Sequence, residues 1–188
     1  MSCIQEIQSI KGNTKMMRMV FTGPESTAKS SLATWVSNYY KYRLIPEYSR
    51  IYLKDKAGCY DQNDIMQMAV RQHHMAFEGR GGAMGQIEDC DLLTYLIWLF
   101  YKYGELDQDL YLMWLDNLPS LYLLCAPDIL WHADPLREHP DDRKVLFSIY
   151  MKFLNSARAP FCIITGQANQ RVTRTIFWIE SYRKGLFL

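Results

Sequence analysis

Gly23 to Ser30, read as GPESTAKS, brings together the residue types that hold a phosphate chain. The stretch departs at one position from the pattern G-x-x-x-x-G-K-[ST], because Ala28 stands where a second glycine is expected. Gly23 allows a sharp exit from a strand, and the backbone N–H groups that follow can line a concave anion nest. Lys29 can reach outer phosphates and the Ser30 hydroxyl can ligate Mg²⁺, while Ser31 continues a helix whose positive end faces the anion. Matching Gly, Lys and Ser/Thr at this spacing happens by chance in roughly one chain in ten of this length. Context strengthens the reading: MMRMVFT (Met16 to Thr22) suits a buried strand and SLATWVSNYYKY (Ser31 to Tyr42) suits a helix. The bland alternative is a plain strand–turn–helix connection. A methyl at Ala28 beside Lys29 is expected to crowd the backbone where it nears a phosphate, lowering nucleotide affinity.

Phosphoryl transfer also wants a carboxylate near the attacking hydroxyl, another near the metal, and mobile arginines for the moving charge. Suitable residues fall where strands are expected to end: Glu47 and Arg50, then Asp89 and Asp91, then Asp128, Trp131, Asp134 and Arg137, with Arg143 beyond. Asp89, directly after a strand, is the better neighbour for Mg²⁺, and Trp131 in a polar loop is a stacking candidate. Each has a plainer role available. Glu47 can be a first-turn helix acid, Asp91 an N-cap, and Arg137 and Arg143 solvated surface charges. Trp98 and Tyr95, on an apolar helix, read as core. The adjacent His73 and His74 point in different helix directions and make no metal pair, and His132 and His139 have no supporting ligand pattern.

The elements that must position these groups follow from the apolar runs. Expected strands are Met16–Thr22, Leu44–Ile45, a weak one entering Asp89, Leu121–Pro127 and Phe161–Gly166. Helices are expected over Lys29 to about Tyr42, about Asp64 to Phe77 with Asp61 or Asn63 as cap, the run after Asp91 up to Gly104, Asp107–Asn117, Asp142–Ser156 and Gln170–Tyr182. The segment EGRGGAMGQIED is the weakest: only Ala83, Met84 and Ile87 can build its strand, which is expected to be short or poorly ordered. Alternation of apolar strands with helices predicts an α/β fold, a parallel sheet covered on both faces, in one domain spanning 1–188 with a polar lead-in over 1–15.

Composition narrows the class of function. Of 188 residues, 49% are hydrophobic and 22% charged, enough for one substantial core. A net charge of +1 gives no reason to expect nucleic acid or a membrane as partner. The five cysteines show no C-x-x-C and no metal spacing, which reads as reduced thiols in a cytoplasmic protein. No signal peptide or transmembrane run is expected. The oligomeric state stays open.

Taken in order, GPESTAKSSLA, PEYSRIYL, DCDLLTYLIW, PDILWHADPLRE with a downstream arginine, and ITG resemble the motifs of the nicotinamide riboside kinase domain of NadR-type proteins, over roughly Met17 to Trp178. The resemblance implies a P-loop NTPase sandwich of three layers, with a five-stranded parallel sheet and an arginine-bearing lid at about 131–145. It also implies transfer of the ATP γ-phosphoryl group, with Mg²⁺, to the 5′-hydroxyl of N-ribosylnicotinamide. It assigns Gly23, Glu25, Ser26, Thr27, Lys29 and Ser30 to the triphosphate and metal, with Ala28 and Ser31 in the same stretch. Glu47, Tyr48 and Arg50 match a Glu-Tyr-x-x-Arg pattern toward the substrate, and Asp89 and Asp91 match Asp-Thr-Asp with Cys90 at the centre. Glu47 is implied as the base. Trp131, Asp134 and Arg137 match the start of the lid, with Pro135 where glycine is usual, and Arg143 is the second lid arginine. The length leaves no room for the family's other portions, so kinase activity alone is implied. Rival readings are a kinase of another nucleoside and a nucleotide-binding or inactive P-loop module.

Overall fold

In this computed structural model, which describes residues 16–54, 56, 59–78, 84–134 and 137–186, the apolar runs become strands. They are β1 (Met17–Thr22), β2 (Arg43–Ile45), β3 (Gly85–Asp89), β4 (Leu121–Cys125) and β5 (Phe161–Ile164). They form one five-stranded sheet in the order β2-β3-β1-β4-β5, parallel throughout. Between them run α1 (Lys29–Tyr40), α2 (Ser49–Tyr52), α3 (Gln62–Phe77), α4 (Leu92–Tyr103), α5 (Gln108–Asp116), α6 (Arg143–Ser156) and α7 (Ala168–Arg183).

The period of two along the strands divides the core into two layers. Met19, Phe21, Leu121, Leu123 and Cys125 face Leu32, Ala33 and Val36 of α1 and Ile179 of α7. Val20, Tyr122 and Leu124 face α3, α4, α5 and α6, where Leu93, Leu96, Trp114 and Leu154 are fully or almost fully buried. Helix boundaries have local causes. Asp61 caps α3 through a capping box with Asp64, Asp91 and Asp107 cap α4 and α5, and Gly104 closes α4 with a left-handed φ of 77°. Among the described residues no helix is long and apolar enough to cross a membrane.

β3 differs from expectation. It begins at Gly85, all five of its residues are buried, Met84 is 83% exposed, and Ala83 lies outside the described residues. Ile87 alone supplies large apolar surface; the opposite face carries Gln86 and Glu88. Most of their polar atoms are matched inside the protein: the Gln86 amide donates to Ala76 O at 3.0 Å and to Glu88 Oε1 at 2.7 Å, and the same Glu88 oxygen accepts from Arg18 on β1, while Glu88 Oε2 is buried without a partner. A built Cβ at Gly85 would sit 2.6 Å from the Tyr42 ring, so the glycine makes room for an aromatic side chain. Pairing on both edges, with β1 and β2, completes the strand.

Candidate active site

β1 ends at Thr22 and the chain turns at Gly23, whose φ is 123°. A Cβ there would lie 2.7 Å from Cys125 O on β4, so the turn needs glycine for space as well as for φ. The loop then closes on itself: Thr27 Oγ1 donates to Pro24 O at 2.8 Å and Lys29 Nζ donates to the same carbonyl at 2.7 Å. Ser26 and Ala28 are left-handed, with φ of 54° and 63°. The missing glycine thus has a cost in the backbone of Ala28 itself, about 1 kcal/mol for an L-residue.

This loop forms one wall of a cleft of about 470 Å³. Glu47, Ser49 and Arg50 from the β2–α2 region form the second wall, Thr94, Ile97, Trp98 and Tyr101 from α4 with Leu146 and Tyr150 from α6 form the third, and Asp134, Arg137 and His139 form the roof. Lys29, Ser30, Ser31, Glu47, Arg50, Asp134 and Arg137 therefore meet as the sequence predicts. Glu47 accepts from Ser49 Oγ at 2.6 Å and pairs with Arg50 Nε at 3.3 Å; Arg50 also reaches Asp134 at 3.2 Å.

Asp89 and Asp91 part company. Cys90 between them is left-handed, with φ of 74°, so the chain turns and the carboxylates leave in different directions. Asp89 is buried beside the loop, hydrogen-bonded by Ser30, and near Lys29, Arg50 and Glu47. Burial, reinforced by the Glu47 charge, raises its pKa to about 6. Its Oδ1 is buried with no hydrogen-bond partner. An orphaned carboxylate oxygen next to a serine hydroxyl fits a hard divalent cation, so Ser30 and Asp89 would hold Mg²⁺. Asp91 points into the core instead. Its Oδ1 accepts from Leu93 N at 3.1 Å as the α4 N-cap, its Oδ2 accepts from the Tyr122 hydroxyl, and Arg18 lies 4.0 Å away. Burial raises its pKa to about 7. The geometry thus moves Asp91 from substrate binding to capping, because both oxygens are engaged away from the cleft.

Four further placements differ from expectation. Glu25 holds the roof: its carboxylate accepts from Glu138 N at 3.1 Å and His139 N at 3.2 Å, a use that suits an anion better than contact with phosphate. Tyr48 lies outside the cleft, tilted against Tyr52, with its N–H donated to Gln72 Oε1 at 2.8 Å. Trp131 is also outside the cleft lining and sits near the guanidinium groups of Arg137 and Arg143, at 5.9 and 5.6 Å. Arg143 donates to Ile129 O at 3.0 Å and Ser26 O at 3.3 Å, and so braces the loop from behind, while Arg137 alone of the two lines the cleft. Ser26 further accepts from His132 N at 2.9 Å. Pro135 lies outside the described residues.

Trp98, expected in the core, shows one side to the cleft while its indole N–H donates to Tyr60 at 3.1 Å. The signal was present in the spacing of Thr94, Ile97, Trp98 and Tyr101, a helical stripe that is only partly apolar. Tyr60 in turn donates to Glu138 at 2.7 Å and accepts from Lys102 at 2.6 Å, so the roof is tied to the aromatic wall as well as to the loop. A second hollow, also about 470 Å³, lies on the other side of Ala28 and Ser31, between Trp35 of α1, Ile129, Leu130 and His132 of the β4–α6 loop, and Gln167 to Val172 at the start of α7. As a set they gave no signal because they come from three separate stretches of chain.

A family profile described as AAA domain matches residues 18–171. The chain belongs to that family. No curated protein sequence matches it. The fold of this AAA domain is similar to that of NadR in complex with NR, at a TM-score of 0.70 and 17% identity over 89% of this chain and 51% of that one. It is also similar to thymidylate kinase from Ehrlichia chaffeensis (TM-score 0.62, 13% identity, 87% of this chain and 98% of that one). A third likeness is to deoxyadenosine kinase from M. mycoides with bound dATP (TM-score 0.53, 15% identity, 88% and 100%). The chain spans about half the length of the NadR chain. Its architecture is that of P-loop nucleoside and nucleotide kinases.

Proposed function

We propose that this protein transfers the γ-phosphoryl group of ATP to a hydroxyl of a small nucleoside, with nicotinamide riboside the first candidate. The observation that carries the reading is the shared cleft: a phosphate loop, a carboxylate (Glu47) and an aromatic wall all line one cavity. The triphosphate lies along the loop, where Lys29 exchanges its Pro24 carbonyl for phosphate oxygens. The base of ATP takes the second hollow beside Trp35, across Ser31 from the cleft. The acceptor's ring stacks along Trp98 and Tyr101, leaving its hydroxyl toward Glu47. That hydroxyl oxygen attacks the γ-phosphorus, its proton passes to the Glu47 carboxylate, and the bond to the β,γ-bridging oxygen breaks with its electron pair left on ADP. Arg50 keeps Glu47 oriented, and Arg137 faces the transferring group from the roof. When bound, Mg²⁺ would neutralise charge on the phosphates from Ser30 and Asp89. NadR bound to NR and a deoxyadenosine kinase bound to dATP, both of similar fold, support this choice of substrates. Free thiols at Cys59, Cys90, Cys125 and Cys162 fit a reducing, cytoplasmic setting.

ADP release measured with nicotinamide riboside against a panel of nucleosides tests the reading. Riboside-dependent turnover is expected, with kcat lowered by about 10²–10⁴ in Glu47→Gln. Absence of turnover with every nucleoside at millimolar concentration would sink it. ATP binding without turnover would instead identify a nucleotide-binding module.

A further inference from the structure

Arg171, in the first turn of α7, is 1% exposed and lies behind the phosphate loop. A guanidinium has five N–H donors in a rigid fork, and here each has an acceptor. Nε donates to Gly166 O at 2.8 Å, Nη1 to Thr27 O at 3.1 Å and Ile164 O at 3.4 Å, and Nη2 to Ala126 O at 2.7 Å and to the Asp128 carboxylate. The other Asp128 oxygen accepts from Gly166 N at 2.7 Å. One side chain thus joins the phosphate loop to the ends of β4 and β5. A buried charge is a costly way to fill a core, and an apolar side chain would serve packing alone.

The contact with Thr27 O has a specific effect. Thr27 C=O and Ala28 N–H belong to one planar trans peptide, so fixing the carbonyl on Arg171 turns the Ala28 N–H to the side away from the guanidinium. The residue after that peptide bond is the left-handed alanine, at φ 63° and ψ 23°, a conformation that alanine resists and glycine accepts. We propose that Arg171 is a positioning residue that holds the Thr27–Ala28 peptide in its anion-binding orientation, and so makes up for the absence of a glycine after Thr27. The proposal rests on the reading of the loop as a phosphate site. It predicts that the need for Arg171 depends on what stands in the place of Ala28.

The test is a double-mutant cycle on Arg171→Lys and Ala28→Gly, read by calorimetric titration with Mg-ATP and, separately, with inorganic tripolyphosphate. Lysine keeps the charge but loses the fork. Arg171→Lys is expected to weaken both ligands at least tenfold in the parent protein and no more than about threefold in the Ala28→Gly background. An equal loss in both backgrounds, or no loss in either, overturns the proposal. Ligand-free amide hydrogen exchange over residues 23–30 supplies a reading that needs no ligand: it should accelerate in Arg171→Lys and return toward the parent rate when Ala28→Gly is added. If the parent protein binds neither ligand, the phosphate-site reading fails, and unchanged exchange in Arg171→Lys then overturns the positioning role on its own. Should Arg171→Lys not fold, Asp128→Asn, which weakens the same clamp from its exposed end, is expected to give a smaller loss with the same dependence on the Ala28→Gly change; the same loss in both backgrounds overturns the proposal.

Discussion

Asp89 serves binding at the expense of stability. Its pKa of about 6 lies above the usual carboxylate value, so the folded protein takes up its proton more readily than the unfolded chain does. Between those values stability falls as pH rises, and the charged form at pH 7 is the costly one. Asp89→Asn keeps an acceptor for Ser30 and is expected to stabilise the protein at pH 7 by about 2–3 kcal/mol, the raised pKa already including the opposing attraction of Lys29 and Arg50. Urea unfolding should show that gain shrinking toward pH 4, while Mg²⁺-dependent nucleotide binding is lost. Parent binding of Mg-ATP should itself weaken as pH drops through about 6, when the carboxylate protonates. Asp91 titrates with the same sign, burial again raising its pKa, but its contacts serve the fold. Asp91→Ala removes an N-cap and leaves the buried Tyr122 hydroxyl without its acceptor, costing about 2–3 kcal/mol, with KM for the acceptor unchanged. Asp91→Asn, which still caps, should cost much less. An acceptor KM that rises sharply in both variants would return Asp91 to the substrate site.

Among the elements, those legible in the sequence were the ones whose stability is local or apolar. Asp61, Asp91 and Asp107 announced their helices, Gly104 announced an end, and LYLLC announced a buried strand. The loop, Glu47, Arg50 and Arg137 were legible because their order along the chain follows the strand ends. β3 was obscure because the partners of its polar face, Arg18, Arg43 and the Ala76 carbonyl for Gln86 and for Glu88 Oε1, are distant in sequence. Arg171 was obscure for the same reason: a lone arginine in a helix carries no sign that five acceptors await it. The part played by Gly85 can be measured. Gly85→Ala drives a methyl into the Tyr42 ring and is expected to destabilise by about 1–3 kcal/mol. Thermal unfolding should show much of that loss recovered when Tyr42→Leu is added. A neutral Gly85→Ala would mean that β3 shifts freely, against its pairing on both edges.

At the scale of the whole molecule, the cleft is assembled from both halves of the chain. Loop and β2–α2 region come from residues before 54, roof and α6 wall from residues after 130. A ligand that fills it therefore ties early and late segments together. Mg-ATP at 100 times its Kd should add about 2.7 kcal/mol to unfolding, readable as a rise in the thermal midpoint that Asp89→Asn abolishes.

The polar face of β3 has one more consequence, for how the chain finds its alignment. β1 ends at Thr22, yet its partners begin only at Gly85 and Leu121, so the central strand waits for distant chain before it can pair. Sliding β3 by a single residue would turn Gln86 and Glu88 toward Met19 and Phe21 and leave the carboxylate buried without Arg18. An all-apolar strand of this length would tolerate such a slip on a sheet covered on both faces. Glu88 does not, and so the pair with Arg18 works as a proofreading contact that admits one register and fixes Asp89, one residue on, beside Ser30 of the phosphate loop.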